Sequence, residues 1–166
     1  MLTEYFYIDL RGALTLERLQ QAIEMRREGD IAGATALLES IEVKDSRIYF
    51  ECAWNYSIQA HAQQAIDNYK QAIEQGLSKE LLKKAYMDLA CNYFELHQYK
   101  QAERILDKGI CEYGDSEAFR AMSTIAHYKL GNPKQAIVDL MQLLLDPKSS
   151  KEIAKYRKEL MHYVQR

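Results

Sequence analysis

The sequence predicts an all-α chain built as a tandem array of helix pairs, and three observations carry that expectation. A short phrase returns four times: Gly29-Asp30-Ile31-Ala32-Gly33-Ala34, Ala60-His61-Ala62-Gln63-Gln64-Ala65, His97-Gln98-Tyr99-Lys100-Gln101-Ala102 and Gly131-Asn132-Pro133-Lys134-Gln135-Ala136. Its closing alanines lie 31, 37 and 34 residues apart, a mean of 34, the length of one helix-turn-helix unit. Composition agrees: two Pro and seven Gly in 166 residues leave few turn formers for a β or α/β chain, while good helix formers abound.

The residues at fixed offsets from each closing alanine, here termed the anchor, specify how the helices meet. Twelve residues before it stand Ala22, Ala53, Ala90 and Thr124, and nine before it Met25, Tyr56, Tyr93 and His127. Four and seven after it stand Leu38 with Ile41, Tyr69 with Ala72, Leu106 with Gly109, and Leu140 with Leu143. Small residues beside large ones at helical period are what two closely crossing helices require. Each unit therefore reads as two antiparallel helices.

With these residues in view the chain resembles the tetratricopeptide repeat family. From Ile48 to about Leu145 it is also similar to the short bacterial group-five repeat proteins. The likeness rests on Ala53-Trp54, on Tyr69-Lys70-Gln71-Ala72-Ile73 leading to Gly76-Leu77-Ser78, on Tyr99 with Ala102, and on Tyr128-Lys129-Leu130-Gly131. It implies a right-handed superhelical solenoid of four helix pairs with a concave face used for peptides. The outer units depart from the pattern: Met25 and His127 stand where the middle units have Tyr56 and Tyr93, and Arg120 where they have Tyr49 and Tyr86.

The elements follow in order. Residues 1–14, with the aromatic run Tyr5-Phe6-Tyr7-Ile8, precede the first repeat as a candidate cap or cover. The four repeats span about 15–45, 46–77, 78–114 and 115–147, and a capping helix fills 148–166. Helices are expected near 15–28, 31–42, 46–59, 62–75, 79–96, 99–113, 116–130, 133–146 and 149–165. Gly76 suits a left-handed helix end and Ser78 caps the next helix, whose early start explains the 37-residue spacing. Asp115-Ser116 opens the seventh helix. Asn132-Pro133 with Gln135 opens the eighth, Pro sitting where no N–H is missed. Asp146-Pro147 closes it. In the last segment Ser149 and Glu152 form a capping box, and Ile153, Tyr156, Leu160, Tyr163 and Val164 form one apolar stripe.

Charge and cysteine usage exclude several classes. A net charge of −2 offers no field for a polyanion, so no nucleic-acid partner is expected. Residues 148–166 alone carry six basic and two acidic side chains, +4, which leaves −6 on the rest. Three Cys without a CxxC pair make neither a disulfide scaffold nor a zinc site, and a reducing cytoplasm fits them. No apolar run reaches the roughly 20 residues of a membrane span. The start, with Glu4 and Asp9 around its aromatics, lacks the basic region of a signal peptide.

The first helix of each pair lines the inner surface of such an array. Fifteen, eleven and eight residues before each anchor stand Leu19, Ile23, Arg26; Phe50, Trp54, Ser57; Met87, Cys91, Phe94; and Ala121, Ile125, Tyr128. This mostly apolar strip is the expected partner-binding groove, with Trp54 and Phe50 as anchors because large aromatics dominate interface energies. The Lys, Asn and Arg set of a carboxylate clamp is missing. The same strip at helical spacing also fits a core covered by the chain itself.

Catalysis, metals and cofactors are not expected. His61 and His97 fall in turns, His127 in a seam and His162 on the last helix, without metal-ligand spacing. Cys52 and Cys111 read as small packed hydrophobes, Cys91 as a groove thiol without a placed base, and no phosphate loop is present. The expectation is a non-catalytic cytoplasmic adaptor or regulator, monomer or weak homodimer, that binds an apolar or amphipathic polypeptide. The alternatives are a sensor of a signalling peptide or small apolar ligand, and a structural subunit of an assembly.

Overall fold

A computed structural model of the chain describes residues 2–114 and 116–145, together with Lys155, Tyr156, Glu159 and His162, with side chains over 12–114 and 116–143 and at those last four. Its described secondary structure is eight helices and no strand: α1 (Leu2–Arg27), α2 (Ile31–Glu39), α3 (Ser46–Ile58), α4 (Ala62–Gln75), α5 (Lys79–Glu95), α6 (Tyr99–Tyr113), α7 (Glu117–Lys129) and α8 (Pro133–Leu145). The chain divides into two compact units, Met1–Leu77 and Ser78–Arg166. Within the first, α1 packs on α2, α2 on α3 and α3 on α4; within the second, α5 packs on α6, α6 on α7 and α7 on α8.

One turn is used in all four pairs. The N–H four residues before the anchor donates to the carbonyl nine before it: Asp30 to Met25 at 2.9 Å, His61 to Tyr56 at 2.9 Å, Gln98 to Tyr93 at 2.8 Å and Asn132 to His127 at 2.9 Å. This closes the first helix of each pair through a left-handed residue and satisfies its last carbonyls. That residue is Gly29 (φ 97°), Ala60 (φ 59°), His97 (φ 56°) and Gly131 (φ 82°) in turn. Glycine adopts the conformation without strain; Ala60 and His97 do not.

The anchors then seat the second helix. Ala34, Ala65 and Ala102 are fully buried and Ala136 nearly so, and so are Ala22, Ala53, Ala90 and Thr124 twelve residues before them. The residue four past the anchor is 0% exposed in Leu38, Tyr69 and Leu106 but 45% exposed in Leu140.

Two helix boundaries differ from the expectation. α1 runs unbroken from Leu2 rather than from about residue 15, because Gly12 weakens a helix by only about 1 kcal/mol and no Pro or cap stops it. α2 ends at Glu39, three residues early: Ser40 Oγ donates to the Leu37 carbonyl at 2.7 Å, and Asp45 already caps α3 by accepting from Ile48 N–H at 2.8 Å. Asp115 of the opening signal of α7, the closing signal Asp146-Pro147 and most of the segment 148–166 lie outside the described residues. Among the described residues no helix is long and apolar enough to cross a membrane.

Candidate functional site

The expected groove residues separate into two sets. Phe50 (1% exposed), Met87 and Phe94 (2% each), Leu19, Ala121 and Ile125 belong to the core. Phe50 meets Tyr69 edge-on at 5.8 Å, and Phe94 meets Tyr99 at 5.8 Å, so both spend their rings on the second helix of their own pair. Ile23, Arg26, Trp54, Ser57 and Cys91 are half-buried, and Tyr128 is 63% exposed.

In the first unit this second set surrounds a charged cluster. Asp45 fixes the start of α3, which brings Arg47, Glu51 and Asn55 to one face at four-residue spacing. Glu51 is 1% exposed. Its Oε2 lies 2.6 Å from an Arg26 guanidinium nitrogen of α1, and its Oε1 accepts from Arg47 Nε at 2.9 Å. Arg26 also donates to Asn55 Oδ1 at 2.9 Å, and its guanidinium carbon stands 4.0 Å from the Trp54 ring centroid. Trp54 in turn packs edge-on to Phe50 at 6.3 Å. Asn55 is fully buried, and its Nδ2 has no partner among the described residues.

This arrangement modifies the expected apolar strip in a physical sense. The floor between α1 and α3 is a buried ion pair, stable because each charge is met by an opposite charge or a dipole. Arg26 is occupied twice over, so a ligand carboxylate would have to displace Glu51 to use it. Trp54 is half-buried beside this floor, with the Arg26 cation over its ring. Ile23 and Ser57 flank it in the repeat register.

Around this floor, polar contacts tie α2 to α3. Gln59 Nε2 donates to Thr35 Oγ1 at 2.8 Å, and the Tyr56 hydroxyl donates to Glu39. The carboxylate acceptor holds the Tyr56 proton, which pushes its pKa up to about 12. Burial pushes the Cys52 thiol up to about 11, so it packs as a hydrophobe rather than reacting.

The second unit is joined differently. Gly109 of α6 lies under the ring of Phe119 of α7, so close that a Cβ there would fall 2.6 Å from a ring carbon. Phe119 is fully buried and stacks on Tyr113 at 6.2 Å, whose hydroxyl donates to the Lys79 carbonyl at 2.7 Å. Burial raises the pKa of both Tyr86 and Tyr113, with the Glu112 charge adding to it. His127, read as a seam residue, sits between carboxylates of two neighbours: Nδ1 is 2.7 Å from Asp139 of α8 and Nε2 3.4 Å from Glu103 of α6. His61 caps α4 without a side-chain bond, and His97 Nδ1 lies 2.8 Å from the Tyr99 hydroxyl. Among the described residues no group of three or more His, Cys, Asp or Glu could hold a metal ion.

Glu51 and Asn55 were not among the sequence candidates. A signal for them existed: a carboxylate and an amide stand one helical turn apart on a helix whose other buried positions are apolar, opposite an arginine of the preceding repeat.

Comparisons place this geometry among known proteins. The Tetratrico peptide repeat family model matches residues 46–166. Among solved structures the chain is similar to a MamA protein, at 16% identity and a TM-score of 0.70, over 92% of this chain and 79% of that one. It is also similar to a Podosopora anserina protein described as a kinesin light chain with nearly identical TPR-like repeats, at 17% identity and a TM-score of 0.64, over 90% and 84% of the two chains. A further MamA structure, MSR-1 C2, aligns at 17% identity and a TM-score of 0.64 over 92% and 97%. At these identities the likeness shows the fold. No curated protein sequence matches the chain.

Proposed function

The chain belongs to the tetratricopeptide repeat family, and from that premise we propose that it is a non-catalytic interaction module that holds an amphipathic polypeptide segment against the α1–α3 face of its first unit. The observation that carries this reading is Trp54. It is a large, half-buried aromatic whose underside is fixed by Arg26 at 4.0 Å and by Phe50, while Glu51 holds Arg26 in place. A ring immobilised before binding loses little entropy on contact, and such aromatics contribute most of the energy of peptide interfaces.

The cluster also selects the ligand's character. Because Arg26 is already paired with Glu51 and Asn55, it is not free to receive a terminal carboxylate, and the contact with Trp54 and Ile23 favours an apolar stripe. The reading keeps the protein in the class of binding modules, with a protein or peptide as partner and no reaction of its own.

The test is selection of peptides from a random helical library against the full chain, followed by affinity measurement on Trp54→Ala. Loss of about 2 kcal/mol, roughly thirtyfold in affinity, is expected with the fold intact by circular dichroism. Unchanged affinity of the folded variant overturns the placement at Trp54.

A further inference from the structure

α7 is buried on every side, and its described neighbours do not account for that. From Glu117 to Ala126 each of its residues is buried except Arg120, which is half-buried. In α1, the first helix of the array, only Leu19 and Ala22 are buried among the residues from Gly12 to Arg27. A helix at the end of an array should show the one-sided pattern of α1, since a helix buried all round needs cover on all faces. α7 has α6 and α8 packed against it. At the groove position eleven before the anchor, Trp54 and Cys91 are half-buried whereas Ile125 is only 8% exposed.

Three observations identify the cover. His162 Nε2 lies 3.3 Å from Glu95 Oε1 in the last turn of α5. Glu159 Oε2, one turn earlier, is out of solvent. On α8, Ile137 (61% exposed), Leu140 (45%) and Met141 (50%) remain uncovered. A capping helix stacked as the next repeat would bury Leu140, as the equivalent Leu38 and Leu106 are buried. It would also stand two helix spacings, about 16–20 Å, from α5, with α7 between. Contact with Glu95 requires a different course.

We propose that the segment carrying Tyr156, Glu159 and His162 lies across the inner face of α7 to the end of α5, so that the chain's own C-terminal residues occupy the groove of the second unit. The sequence of that segment suits the role. Its sequence carries Ile153, Tyr156, Leu160, Tyr163 and Val164 at the spacing of one apolar helical stripe. The last turn of α7, with Tyr128, is left open. An external ligand for this groove then has to be an amphipathic segment able to compete with the tail. That final step rests on the binding reading above; the seat of the tail does not.

The experiment uses the full chain and two probes that need no partner. Tyr156→Glu with Leu160→Glu removes the stripe. Amide exchange across residues 117–126 and binding of a fluorescent peptide of residues 148–166 are then compared with the unaltered chain. Exchange should rise, and the peptide should bind the variant about tenfold more tightly than the intact chain, whose groove is filled. Faster exchange confined to 148–166, or no peptide binding by the folded variant, overturns the proposal. Should the double variant fail to fold, Glu95→Cys with His162→Cys in a Cys91→Ser, Cys111→Ser background gives a second reading, Cys52 being buried. A short bis-maleimide should join 95 to 162 within one molecule, and absence of that crosslink overturns the proposal equally. Equal binding of an external amphipathic peptide by the intact chain and by the double variant would refute the competition step alone.

Discussion

The two units differ in what joins one helix pair to the next. In the first, α1 meets α3 through a buried Arg26–Glu51 pair, with Asn55 and Trp54 around it. In the second, α6 meets α7 through the flat face of Phe119 lying on Gly109, without a charge. Within each pair the same turn and the same buried alanines recur, whereas these contacts between pairs differ, so the repeat fixes the pair and leaves open what neighbouring pairs present to each other. The price of that freedom differs: an ionic floor must keep every partner, whereas an apolar one must keep its volume.

The largest expected effect follows from the ionic side. Glu51→Ala strands Arg26 in a buried site and should cost about 3–5 kcal/mol in urea unfolding. Arg26→Met combined with Glu51→Met removes both charges and should recover most of the loss. If the double variant is as unstable as the single one, the comparison fails, because the cluster would then be packing rather than paired charge. On the apolar side, Gly109→Ala should cost about 1–3 kcal/mol through overpacking against Phe119, although alanine is the better helix former by about 1 kcal/mol. Pairing it with Phe119→Leu should return part of the loss; stabilisation by Gly109→Ala alone would show that the ring can move aside. The smallest effect lies in the shared turn. Ala60→Gly relieves a left-handed backbone and should stabilise by about 1 kcal/mol in the same assay. His97→Gly should yield less, since His97 also bonds Tyr99 at 2.8 Å. Equal gains at both positions would mean that this contact is worth nothing.

The frame was legible because it is written in local chemistry. Ser78, Asn132-Pro133 and Gly76 act within a turn of where they stand, and the helices they bound agree with the sequence reading within a residue or two. The start of α1 was not legible, since nothing at residue 14 either stops or starts a helix. The site was legible only by register. An offset names a helix face, and that face is wide enough for Phe50 to turn toward Tyr69 while Trp54, four residues on, reaches solvent. Glu51 escaped notice because its partner Arg26 is supplied by another repeat, and a side chain's counter-charge across a junction is invisible to a pattern aligned within one unit. The whole-face burial of α7 was likewise beyond reach, being a property of what lies over the helix and not of its own residues.

The shared turn has a consequence for how the chain reaches this structure. Each of its hydrogen bonds closes a loop of five residues or fewer, and within each unit every helix packs on its successor. The search for native contacts is therefore local at nearly every step, and the entropy lost in closing each loop is small and paid in instalments. Such a chain is expected to zip outward from whichever pair forms first, and to fray from its ends long before its middle opens.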